Sequence, residues 1–192
     1  MSIEKTKVRD VVSSGLIAAP QSGEQAKATG MFSVQCLDKD GNLKWELESK
    51  NLVVNVGLQY MAGAALTSTA QITTWYIGLY GAAASNTPAA GDTSATHATW
   101  TEITPYSNGT RPSATFVAAT AANPSVVTNS ASPAQFNINA TATVGGAFLI
   151  SDSTKGGFTG TLFSASDFTS PGDRSVVNGD TLRVSYTMSL AG

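Results

Sequence analysis

The sequence predicts an all-β fold, an antiparallel β-sandwich of jelly-roll-like or immunoglobulin-like type, with one short helix and an extended N-terminal arm. Three observations lead there. Many short stretches alternate apolar and polar residues with period two, the pattern of a half-buried strand. Turn-forming clusters such as Asp38-Lys39-Asp40-Gly41 and Asn178-Gly179-Asp180 separate them. Charged residues make up only 12% of the 192, about half the usual share, and Thr, Ser, Asn and Gly supply the remaining polarity, as suits strands and turns.

Taken in order, residues 1–30 hold no sustained period of two or 3.6 and are interrupted by Gly15, Pro20 and Gly23. They are expected to form an extended arm, with Val8, Val11, Val12, Leu16 and Ile17 as apolar anchors on a neighbouring subunit. Val11 to Ala19 follows several bases but is broken by Ser13, Ser14 and Gly15, so it is not read as a secretion leader. Residues 31–192 are expected to form the sandwich domain. Phe32, Val34 and Cys36 alternate with Ser33 and Gln35, and Leu43, Trp45 and Leu47 with Lys44 and Glu46. With Asp-Gly between them, these runs read as a hairpin. Leu52 to Leu66 places Val56, Tyr60 and Met61 near helical spacing and is expected to be the one helix.

Beyond it, Trp75, Ile77 and Leu79 should face one side of a strand, with Tyr76 and Tyr80 on the other. Gly81 to Thr99 reads as a long loop, of the kind that is usually functional or mobile. Further strands are expected at Trp100–Ile103, Ala114–Ala118, Val126–Thr128, Phe136–Ala140 and Thr161–Phe163. Ala142–Ile150 is apolar on both faces and should be central. The last strand alternates most regularly, with Leu182, Val184, Tyr186, Met188 and Leu190 inward.

Candidate chemistry is sparse. His97 is the single histidine, so no multi-histidine metal site can form within one chain, and beside Trp100 it reads as a packing contact. Cys36 stands alone, which excludes an internal disulfide and a thiolate cluster; it reads as a small buried apolar side chain. Asp92, Glu102, Asp152, Asp167, Asp173 and Asp180 are the carboxylates of the later chain. Most sit in turns, where Asp bonds its own backbone, rather than as a pair flanking a cleft. Asp38, Asp40 and Asn42 lack the glycine position and closing Glu of a calcium loop. A net charge of −2 gives no basic patch for nucleic acid or an anionic membrane. No enzyme activity, cofactor or metal is expected. Tyr76, Tyr80 and Trp100 are aromatic candidates for contact with a partner.

Several segments carry a resemblance. They are Asp40-Gly41-Asn42-Leu43-Lys44-Trp45-Glu46, then Asn51 to Leu58, Trp75-Tyr76-Ile77-Gly78-Leu79, and His97 to Glu102 with Tyr106-Ser107 and Arg111-Pro112. Asn129 to Pro133, Ser153 to Gly157 and Gly179-Asp180-Thr181-Leu182 join them. From Met31 onward the chain resembles small virion structural proteins of tailed bacteriophages, similar in size and β-content to capsid cement, or decoration, proteins. The resemblance implies a protein made in the host cytoplasm that sits on the outer capsid surface. There it would bridge and stabilise major capsid protein subunits as a dimer or trimer. The alternative it leaves is a tail or fibre-base component that binds host glycan through the Gly81–Thr99 loop and nearby aromatics.

Overall fold

The computed structural model describes residues 26–82, 87–97 and 100–192. The arm anchors Val8, Val11, Val12, Leu16 and Ile17 lie outside the described residues. In chain order the elements are β1 (Lys27–Leu37), β2 (Leu43–Lys50), β3 (Leu52–Val53), α1 (Asn55–Leu66), β4 (Trp75–Gly81), β5 (Ser113–Ala114), β6 (Ser125–Thr128), β7 (Ala134–Asn137), β8 (Ala142–Ile150), β9 (Leu162–Asp167), β10 (Arg174–Val176) and β11 (Thr181–Ala191). They form two antiparallel sheets, the all-β sandwich with one short helix that the sequence predicts.

The first sheet runs β2-β1-β11-β6, with β7 also on β11. Its opening hairpin turns because the Asp38 carboxylate accepts the backbone N–H groups of Asp40 and Asn42, each at 2.9 Å. Gly41 supplies the left-handed residue at φ 85°. Those bonds hold the Asp38 carboxyl below its ordinary pKa. β1 and β11 pair along their whole length, from Lys27 opposite Ala191 to Leu37 opposite Thr181. β1 thus begins four residues before the expected start of the domain at Met31.

The second sheet runs β3-β9-β8-β4-β5, with β10 on β8. β8 is central, as its two apolar faces predict. At Asn51, whose N–H donates to Gly30 O at 3.1 Å, the chain leaves one sheet and enters the other. Leu52 and Val53 were expected to open the helix. They form β3 instead, because Val53 is buried and the Val54 N–H finds Phe163 O at 3.1 Å.

Period-two alternation sends one side of each sheet into a shared core. Phe32, Val34, Cys36, Leu182 and Val184 meet Ile77, Leu79, Ala147 and Leu149 there, all at most 2% exposed. Burial, with Asp180 beside it, pushes the Cys36 thiol up to about 12, so it packs as an inert apolar group. A second cluster covers the outer side of the second sheet, where Tyr80, Trp100, Phe148 and Ile150 pack with Tyr76 against them. Trp100, just after the long loop, therefore covers a sheet face.

The expected strand Trp100–Ile103 reduces to a single bridge between Tyr80 and Glu102, since Trp100 turns into that second cluster and Glu102 toward Arg111. Of Ala114–Ala118 only the first residue is in strand β5, although Val117 N–H still reaches Thr128 O at 3.0 Å. The Phe136–Ala140 strand lies two residues earlier, as β7, and β9 extends to Asp167. Leu190 was expected inward and is 38% exposed near the chain end.

Gly57 sits where α1 crosses β9, and a Cβ on it would meet the backbone carbonyl of Phe163. In an open helix Gly→Ala gains about 1 kcal/mol. Here the sign reverses, and Gly57→Ala is expected to cost about 1–3 kcal/mol as an overpacking change, read as a lowered Tm in thermal unfolding.

Candidate functional site

Two concave regions stand out, one at the end of the sandwich and one on its outer face. The first lies where α1 caps the space between the sheets. It is a groove of about 590 Å³ whose lining includes Tyr60, Met61, Ala64 and Ala65 of α1, Trp75 of β4, Phe163 of β9, Val127 of β6, and Tyr186 and Met188 of β11. Its walls are aromatic. Tyr60 meets Trp75 edge-on at 5.3 Å, Trp75 meets Phe163 at 5.3 Å, and Phe116 meets Tyr186 at 6.2 Å. The polar ends of these rings are engaged: Tyr60 OH accepts Ile72 N–H at 2.7 Å, and Asn51 Nδ2 donates to Tyr186 OH at 2.8 Å. What remains open to the groove is mainly carbon.

The helix that forms one wall has no charged residue: Asn55 to Leu66 reads NVGLQYMAGAAL. A helix lying on a protein surface normally turns a polar stripe outward. This one turns Asn55 and Gln59 outward but also leaves Leu58 43% and Leu66 87% exposed, outside the groove lining, and exposed apolar surface of this kind is suited to burial against another chain.

The second region is a pocket of about 310 Å³ between Ser94, His97 and residues 100–104 on one side and β8 and the 156–158 turn on the other. Beneath it is a fully formed ion pair. Arg111, 1% exposed, donates from Nε and Nη2 to the two oxygens of Glu102 at 2.8 and 2.6 Å. Its remaining bonds go to Asp152 O at 2.8 Å and Gly157 O at 2.9 Å, and its guanidinium lies 5.3 Å from the Phe148 ring centre. Gly156 N–H donates to Glu102 Oε2 at 2.6 Å. The pair thus ties three loop segments to one another, and its charges are spent.

Above it, His97 stacks on Trp100 with centroids 3.8 Å apart, and Phe158 lies 6.2 Å from His97. Burial lowers the His97 pKa, outweighing the upward pull of Asp92 and Glu102, so the ring is neutral at neutral pH. Its Nδ1 and the Trp100 indole N–H are buried without a hydrogen-bond partner. An orphaned buried donor costs about 1–3 kcal/mol, and such a group calls for an explanation.

The sequence candidates divide accordingly. Tyr80 and Trp100 are 0% and 4% exposed, which corrects their assignment as partner contacts: their surface is spent in the second cluster. Tyr76 is half-buried beside them. His97 does pack on Trp100 as expected. Besides Glu102, three of the later carboxylates are engaged one by one. Asp92 accepts Ala89 N–H at 2.8 Å, Asp152 binds Thr154 N–H and the Thr159 hydroxyl, and Asp180 pairs with Lys44 at 2.5 Å. Sequence reasoning missed the groove, whose walls span more than a hundred residues. It missed the ion pair too, although one signal was present: Arg111 is the single Lys or Arg between Lys50 and Lys155.

Among the described residues no three His, Cys, Asp or Glu side chains gather as a metal-ligand set. None of their helices is long and apolar enough to cross a membrane. Compared with known proteins, the chain matches no family model, no curated protein and no solved structure.

Proposed function

We propose that this chain is a non-enzymatic structural protein of a tailed-bacteriophage particle, a capsid decoration protein that binds the outer shell and bridges major capsid subunits. The observation that carries the reading is the apolar groove at the α1 end, walled by a helix without charge, on a chain with few charges anywhere. Its occupant is an apolar segment of a capsid subunit. The motif resemblance from Met31 onward supports the same assignment. The mechanism is mass action: a partner that binds only the assembled shell stabilises it by its binding free energy. Repeated over a symmetric surface, modest contacts add up against the pressure of packed DNA.

Ala65 lines the groove and is exposed, so a charge placed there disturbs the contact and spares the fold. Ala65→Glu is expected to weaken co-sedimentation with shells lacking the protein by about tenfold or more, since an unpaired charge must be desolvated, while Tm stays unchanged. Wild-type protein that fails to sediment with such shells would overturn the proposal.

A further inference from the structure

We propose that the pocket beside the 156–158 turn is a binding site for a single neutral saccharide unit. The inference stands apart from the shell role, and either can fail without the other.

Size sets the first limit. At about 310 Å³ the pocket is at the small end of ligand sites, enough for one sugar ring and too small for a long chain to be enclosed. Charge sets the second. Arg111 is sealed beneath the pocket and neutralised by Glu102, and His97 is held neutral by burial, so neither an anion nor a cation finds a free counter-charge there.

The remaining features match a ring that is apolar on its face and hydroxylated at its edge. Phe158 is 65% exposed at the pocket and nearly parallel to His97, at 25°. An exposed aromatic of this kind offers a stacking face. Ser94, Thr101 and Thr104 place hydroxyls in the lining, and Ser94 already donates to Gly160 O at 2.7 Å, which leaves its oxygen free to accept.

The stranded atoms favour a hydroxyl most specifically. Trp100 Nε1 can only donate, while Nδ1 of a neutral imidazole donates or accepts according to tautomer. A ligand hydroxyl does both, so it satisfies the indole N–H and the imidazole in either tautomer; a carboxylate satisfies both only when Nδ1 carries the proton, and an ammonium never satisfies the indole. Both nitrogens are shut off from solvent, so a hydroxyl that reaches them must shift the His97 ring on Trp100, which alters tryptophan fluorescence.

The test is a titration of the full chain with D-glucose, D-galactose, L-rhamnose and N-acetyl-D-glucosamine, followed by tryptophan fluorescence and calorimetry. At least one should bind with a saturable fluorescence change. Phe158→Ala removes an exposed ring and should weaken that binding about tenfold, the scale of one lost stacking contact, without moving Tm. Trp100→Phe keeps the buried ring, removes the N–H, and should weaken it similarly. Leu43→Ala, at the exposed first hairpin, should leave it unchanged. Absence of saturable binding across all four sugars would overturn the proposal, as would binding that neither pocket variant weakens.

Discussion

Replacing Arg111 with methionine is expected to cost the fold about 3–5 kcal/mol, the range for removing one partner of a buried ion pair. For a chain of this length that corresponds to a fall in Tm of roughly 6–20 °C. The loss is large because of what is left behind. Glu102 would keep a buried carboxylate with, among the described residues, only Gly156 N–H left as a donor to it, and Asp152 O and Gly157 O would lose the guanidinium. The loss is not the net worth of the pair. Taking both charges away, as in Arg111→Met with Glu102→Leu, should recover part of it, since well-packed apolar replacements of buried pairs are often neutral. Thermal unfolding of the single and double variants reads both. A single variant within about 1 kcal/mol of wild type would mean that the pair is hydrated rather than buried.

Alkaline pH is expected to unfold the protein steeply. Burial raises the Tyr80 and Tyr106 phenols, takes Tyr186 up to about 12 and takes the Cys36 thiol up to about 12. In the unfolded chain the thiol titrates at about 8.5 and the phenols at about 10. Between each group's unfolded and folded values the folded state holds protons that the unfolded state has released. The stability these groups contribute is therefore intact below the unfolded pKa and is lost as pH rises toward the folded one. Each group costs about 1.4 kcal/mol per pH unit in that window. Acting together, the four give a slope of about 5 kcal/mol per unit, against a total stability of about 5–15 kcal/mol for an ordinary domain. Loss of circular dichroism should coincide with a burst of tyrosinate absorbance between about pH 10 and 12. Gradual tyrosine ionisation with the fold intact would contradict the buried placement of these rings.

Elements that bury one face only were legible in the sequence. β11 and the β1–β2 hairpin alternate cleanly because one side of each strand meets the core and the other does not. β8 was legible for the opposite reason, being apolar throughout because both of its faces are covered. Legibility failed where a residue serves a neighbour rather than its own element. Trp100 looks like the start of a strand, yet its ring belongs to a cluster on the outside of the second sheet. β10 holds only Arg174, Ser175 and Val176, too few for a period to register. The groove was invisible because no local pattern links Tyr60, Phe116 and Tyr186; only the folding of α1 over the sheet ends unites them.

The proposed docking through the α1 end is tested most directly by an image of the intact virus particle at residue resolution. It predicts density for this sandwich on the outer capsid, repeated with the shell symmetry, with Met61, Ala65 and Phe116 pressed against a capsid subunit. Particles free of the protein, or a copy attached elsewhere with that groove facing open solvent, would contradict it.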